Sequence, residues 1–170
     1  MKSLQWMVTL VACAFFGCGG TPDVQKSTTE EHMALGWLER GVLQEGEYHV
    51  FEDNYDTVKV EGELVNLIQQ LHEEIEITVF LGTWCSDSKR EVPRFFKIVD
   101  LAGISGDRIK LYGVDRSKKS GDGLTDKHGI QRVPTFIFFK DGVEIGRITE
   151  KPHSTLEADM LSILAAAQSK

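Results

Sequence analysis

The segment Trp84-Cys85-Ser86-Asp87-Ser88 places a sulfur nucleophile between an apolar, β-branched run (75–81) and a stretch with helical spacing (86–101). A thiol at the start of a helix meets unpaired backbone N–H groups and the positive end of the helix dipole. Such placement takes a cysteine pKa from about 8.5 into the range ~3.5–7.5, and the thiolate is the attacking species in disulfide exchange. The competing reading is a buried, inert thiol, a common fate of free cysteine. The Ser88 hydroxyl could donate a hydrogen bond to the thiolate. Asp87 either opposes the dipole's effect on the sulfur or is a solvated first-turn acid favoured by that dipole. Lys89 and Arg90 follow it and offset its charge.

The flanking pattern supplies the elements that must hold this sulfur. Residues 63–74 carry Leu64, Leu67, Ile68 and Leu71 at helical spacing, and 75–81 reads as a buried parallel strand. After the 86–101 helix, which contains Pro93, a second strand is predicted over 109–115 and a short helix near 124–128. Val133-Pro134-Thr135 opens a third strand, 133–139, and Asp141-Gly142 turns it into a returning strand, 144–148. A closing helix over 154–167 takes Ser154 as its N-cap. Upstream, 33–43 is predicted as a short helix, 48–51 as an extended piece and 53–56 as a loop. Alternation followed by a hairpin implies an α/β fold with a mixed central sheet between helical layers.

The chain has 170 residues, 41% hydrophobic and 26% charged, values of a soluble globular domain with a short appendage. A formal net charge of -7 without a basic stripe argues against nucleic acid as a partner. The five histidines are scattered and show no metal-ligand spacing, so no metal or cofactor is expected. The first residues are different in kind. A basic start at Lys2 precedes an apolar run from Leu4 to Phe16, shorter than the roughly 20 residues of a membrane span. It ends at Gly17-Cys18-Gly19-Gly20, and a polar stretch to about residue 31 reads as a tether.

This start resembles a bacterial lipoprotein signal, in which a cysteine after the apolar run is lipidated. Cys18 sits at the apolar-to-polar boundary and is taken as the attachment point; Cys13 has better-matching preceding letters but a very short run before it. A plain cleaved signal or an uncleaved anchor also fits. Each reading exports the domain to the cell envelope, and lipid would add about 0.8 kcal/mol of membrane affinity per buried methylene. Cys85 is then the thiol left after processing, so no structural disulfide is available to it. The organisation expected is signal 1–18, tether 19–31, N-terminal extension 32–60 and main domain 61–170.

The element order, Trp84-Cys85-x-x-Ser88 between strand and helix, Val133-Pro134-Thr135 and the Phe-Lys-Asp-Gly hairpin together resemble the thioredoxin superfamily over about 61–167, in particular an envelope-located bacterial branch. The resemblance implies a thioredoxin-like three-layer α/β/α sandwich. It implies that Pro134 is a cis-proline facing Cys85, with Trp84, Ser86, Asp87, Val133 and Pro134 forming the surface that receives a substrate chain. A trans-proline at a strand start and a core tryptophan are the plainer alternatives for Pro134 and Trp84. Two departures matter. Ser88 stands where the family has its second cysteine, and Val79 where it has a buried acid. A hydroxyl cannot resolve a mixed disulfide.

The function expected is therefore monothiol exchange with protein or small-molecule disulfides, with Cys85 and Ser88 at the catalytic positions and an external resolving thiol. A thioredoxin-fold module that binds extended chains without turnover is the alternative. A peroxide-reactive thiol ranks lower, for want of an Arg or Thr pattern around Cys85. The chain is read as a monomer held at a membrane by its lipid.

Overall fold

The computed structural model describes residues 32–168, so the signal and tether expectations, including Cys13 and Cys18, lie outside the described residues. The first element is a three-residue strand, β1 (Gly36–Leu38), followed by 3-10 turns at Arg40–Gln44 and Gly46–Tyr48 and by helix α1 (Val50–Thr57). Then come α2 (Gly62–Leu71), β2 (Ile75–Leu81), α3 (Ser86–Leu101), a 3-10 turn (Gly106–Arg108) and β3 (Ile109–Gly113). The chain closes with α4 (Leu124–Lys127), β4 (Thr135–Lys140), β5 (Val143–Thr149) and α5 (Leu156–Gln168).

The sheet order is β1-β3-β2-β4-β5. β2 runs parallel to β3, while β4 and β5 form an antiparallel hairpin joined to the other edge of β2. Pleating sends alternate β2 residues to opposite faces. Ile77, Val79 and Leu81 join the larger core with Phe95, Phe96 and Val99 of α3, Val65 and Ile68 of α2, and Leu156 and Met160 of α5. Phe80 joins a smaller cluster on the other face, with Tyr112, Val114, Ile130, Val133 and Ile137, against which Trp84, Cys85 and Leu124 pack. Val79 is fully buried in register with Leu111 and Phe136, so its place in the sheet is an apolar one.

Three expectations are corrected. Residues 33–43 form a strand and a 3-10 turn rather than a helix. Gly36 has φ +79°, outside helical space, and β1 finds its main-chain partners on β3, pairing Gly36–Leu38 with Gly113–Leu111. Residues 48–56, read as extended chain and loop, are a 3-10 turn and α1. Glu52 and Asp53 lie in the first turn of α1, where the helix dipole favours acids, and Phe51 enters the main core. The closing helix is capped by Thr155, whose hydroxyl accepts the Ala158 N–H at 3.2 Å, and not by Ser154.

Residues 32–60 belong to the same compact unit as the rest of the described residues. Arg40 makes a two-pronged ion pair with Asp100 at the end of α3, at 2.7 and 2.8 Å. Its guanidinium lies over the rings of Phe96 (4.3 Å) and Tyr55 (5.5 Å), and the Tyr55 hydroxyl donates to the same carboxylate. Partial burial alone would raise the Asp100 carboxyl. Hydrogen bonds from Arg40 and Tyr55 and the charges of Arg40 and Lys97 outweigh it and hold the group below its ordinary value.

A depressed carboxyl contributes stability that is present above its unfolded value and lost as pH falls through the folded one. Asp100→Asn is therefore expected to cost about 1 kcal/mol in urea unfolding at pH 7, a small figure because solvent screens a part-exposed pair. The gap between the two proteins should close below about pH 4; a constant gap down to pH 3 would show that this ion pair does not carry it.

Candidate functional site

The site forms where β2 hands over to α3. Leu81 ends the strand, and Val114 donates its N–H to the Leu81 carbonyl at 2.9 Å, extending the parallel pairing by one step. The chain then turns: Cys85 donates its N–H to the Gly82 carbonyl at 2.9 Å and accepts the Lys89 N–H on its own carbonyl at 3.0 Å. Cys85 is thus the N-cap of α3, with extended backbone (φ -86°, ψ 126°) and no capping bond from its sulfur. The position gives a negatively charged sulfur the first-turn N–H groups as neighbours. The side chain is half-buried.

Across from it lies the segment before β4. The Val133–Pro134 peptide is cis, as the resemblance implies, and the Cys85 thiol donates to the Val133 carbonyl at 3.3 Å. Val133 and Pro134 are buried beneath this contact. The segment is fixed on both sides. Thr135 Oγ1 donates to the Arg132 carbonyl at 2.7 Å, Glu150 donates its N–H to the Pro134 carbonyl at 2.7 Å, and Arg132 pairs with Glu150 at 2.8 Å.

Ser88 is fully buried one turn into α3, and its hydroxyl oxygen accepts the Gly82 N–H at 3.2 Å. It therefore braces the turn that presents Cys85. Asp87 is held by Arg90 at 2.7 Å, and Arg90 also reaches Glu91 at 2.7 Å, so the acid's charge is locally offset. Ser86 is exposed at the first helical position.

Trp84 is half-buried, and its indole N–H donates to the Val114 carbonyl at 2.9 Å. Its ring lies so close to Gly82 that a Cβ there would stand 2.7 Å from it. Arg116 and Lys118 reach over the same ring, at 4.8 and 5.6 Å from its centre. Among the described residues, no group of three or more His, Cys, Asp or Glu side chains could hold a metal.

Several participants went unread in the sequence. Thr83 is buried beside Cys85 and its hydroxyl accepts the Ala34 N–H at 3.2 Å, so the approach to β1 is tied to the active turn. Gly113 makes room for that approach: a Cβ there would lie 2.1 Å from the Ala34 carbonyl oxygen. No local pattern announces contacts between residues so distant in sequence. The Gly82-Thr83 pair before Trp84 was the available signal for the tight turn.

A mixed sheet with a cysteine at a helix N-cap, facing a cis-proline segment, defines an α/β protein of thioredoxin fold. The thioredoxin family profile matches residues 44–162, and the chain belongs to that family. A thioredoxin of Malassezia sympodialis is 34% identical over 86 residues, which are 51% of this chain and 78% of that one. Two solved structures share the fold at low identity. A protein of unknown function from Pseudomonas aeruginosa has TM-score 0.56 at 15% identity, covering 79% of this chain and 93% of its own. An HIV epitope scaffold has TM-score 0.52 at 14% identity, covering 72% and 84%.

Gly82→Ala forces the Trp84 ring aside. It is expected to destabilise the domain by about 1–3 kcal/mol, the usual range for overpacking, and to shift tryptophan emission to longer wavelength. Unfolding and emission indistinguishable from wild type would show that the turn accommodates a methyl group.

Proposed function

We propose that the chain is an exported thioredoxin-family protein that performs monothiol disulfide exchange through Cys85, lipid-anchored at Cys18 in a bacterial envelope. The observation that carries the exchange reading is the half-buried Cys85 thiol at the α3 N-cap, turned to the Val133 carbonyl beside cis-Pro134, with the buried hydroxyl of Ser88 at the fourth motif position.

In the first step the Cys85 thiolate attacks one sulfur of a disulfide. A Cys85–S–S–R bond forms, the original S–S bond breaks, and the other sulfur leaves as a thiolate carrying the bond's electron pair. In the second step an external thiolate attacks the mixed disulfide, takes the R–S group into a new disulfide and releases Cys85. Ser88 cannot take the resolving role, because an oxygen forms no S–S bond. Its bond to the Gly82 N–H suits it to holding the turn in shape instead. Trp84, Ser86 and Asp87 border the sulfur and form the surface offered to the incoming chain, with the buried Val133 and Pro134 as its floor. The thioredoxin relative favours protein or small-molecule thiols and disulfides as partners. Export rests on the apolar run ending at Gly17-Cys18.

Purified protein should reduce insulin disulfides only with excess small thiol present, and Cys85→Ala should lose essentially all of this activity. Pre-reduced Ser88→Cys should release reduced insulin chains in a single turnover without external thiol, closing a disulfide between Cys85 and the introduced sulfur, while repeated turnover still draws its two electrons from the external thiol. Equal activity in wild type and Cys85→Ala would leave the binding-module reading in its place. For the anchor, cells fed radiolabelled fatty acid should label the wild-type chain and not Cys18→Ser; label retained in that variant and lost in Cys13→Ser would move the attachment site.

A further inference from the structure

Each of the three residues before Cys85 is gripped from a different part of the chain. Gly82 gives its N–H to the Ser88 hydroxyl in α3, and Trp84 gives its indole N–H to the Val114 carbonyl just past β3. The grip on Thr83 comes from the N-terminal extension: its hydroxyl oxygen accepts the Ala34 N–H at 3.2 Å, across 49 residues of sequence. Thr83 is only 3% exposed, and it lies inside the turn that the Cys85 N–H closes on the Gly82 carbonyl.

The donor is itself held in place. The Ala34 carbonyl faces the bare Cα of Gly113, where a Cβ would stand 2.1 Å from its oxygen, and the chain runs on from there into β1 beside β3. The Tyr48 hydroxyl donates to the His32 carbonyl at 3.2 Å, while its ring packs against the main core. The Thr83 hydroxyl acts on the same phenol, opposing the rise above the ordinary value that burial and the Glu47 carboxylate give it. The phenol therefore remains a donor throughout the range in which a thiol titrates. Segment 32–34 is thus pinned on both sides of its bond to Thr83, by Tyr48 at His32 and by Gly113 at Ala34.

We propose that the N-terminal extension is a working part of the thiol site, with Thr83 and Tyr48 as the positioning residues through which it holds the turn that aims the Cys85 sulfur. The inference rests on the exchange reading above and adds to it the part that sets the attacking geometry. Exchange requires the sulfur to approach in line with the disulfide it attacks, and a reacting atom misplaced by about 1 Å can cost ~10²-fold in rate. A small alkylating agent has no docked orientation to meet, so it tolerates more movement of the turn. Both reactions consume the thiolate, so the ratio of their rates cancels its fraction and reports the geometry.

The test uses the full-length chain in detergent, with Cys13→Ser and Cys18→Ser so that Cys85 is the thiol that reports. Mass spectrometry follows two rates: alkylation by iodoacetamide, and exchange with oxidised glutathione, in which Cys85 bonds one glutathione sulfur and the other leaves as a thiolate. Thr83→Val, which keeps the shape and removes the acceptor, should lower the exchange-to-alkylation ratio about ten-fold. Thr83→Ser, which keeps the hydroxyl, should return the ratio to within about two-fold of wild type. Tyr48→Phe should lower it about three-fold, and the double variant should fall no further than Thr83→Val, because both residues act through one clamp. Urea unfolding of each variant fixes conditions in which all of them are folded.

An unchanged ratio in Thr83→Val, or a Thr83→Ser ratio as low as that of Thr83→Val, overturns the positioning role and leaves the exchange reading standing. Losses that multiply in the double variant overturn the shared clamp, and the extension's part in the site with it. Should Thr83→Val not fold, Tyr48→Phe decides alone, since it removes one exposed hydrogen bond: an unchanged ratio there overturns the proposal. A wild-type Cys85 that alkylates but forms no mixed disulfide with oxidised glutathione or insulin overturns both readings.

Discussion

At the turn between β2 and α3, backbone, indole and hydroxyl all converge on Gly82. Its carbonyl accepts the Cys85 N–H, its N–H is taken by Ser88, and its bare Cα lies against the Trp84 ring. The three contacts fix one another. Without the Ser88 bond a buried N–H would be orphaned, at a cost of about 1–3 kcal/mol. Without the absent Cβ the ring could not lie down, and without the ring the loop after β3 would lose the surface on which its cations rest. The cysteine therefore enters its helix from a position set by a residue that has no side chain.

How much of this was legible in the sequence follows from the range of the interactions involved. Strand β2 and helix α3 were read with their observed bounds, since the first is a mostly apolar, β-branched run broken only by Glu76 and Thr78 and the second has both an opening residue and a strong periodic stripe. The β4–β5 hairpin announced itself through Asp141-Gly142, both of which have positive φ. The residues flanking Cys85 were legible because they are neighbours along the chain, and Val133-Pro134 because the resemblance supplied their place.

Residues 33–56 were misread for the opposite reason. Met33, Ala34, Trp37 and Leu38 have helical spacing, and what decides their conformation instead is a strand edge far along the chain, Gly36–Leu38 pairing with Leu111–Gly113. Trp37 illustrates this: it packs edge-on against Tyr112 at 5.1 Å, a partner that helical spacing could not disclose. Arg40 is similar, being an unremarkable surface cation until Asp100, Phe96 and Tyr55 are brought around it. Thr83 adjoins Trp84-Cys85 in the sequence, and only the folded chain shows its hydroxyl meeting Ala34.

The short strand β1 has a consequence for association between chains. An uncovered β3 would present its outer row of N–H and C=O groups, a template on which any extended segment can add itself. β1 occupies that row with only three residues, and Gly113 lets the preceding chain pass close to its end. A strand so short covers the edge while offering little new edge of its own. The segment that lies outside the minimal thioredoxin resemblance thus acts as a seal against sheet-to-sheet aggregation, and a chain trimmed to that resemblance would trade a folded edge for a sticky one.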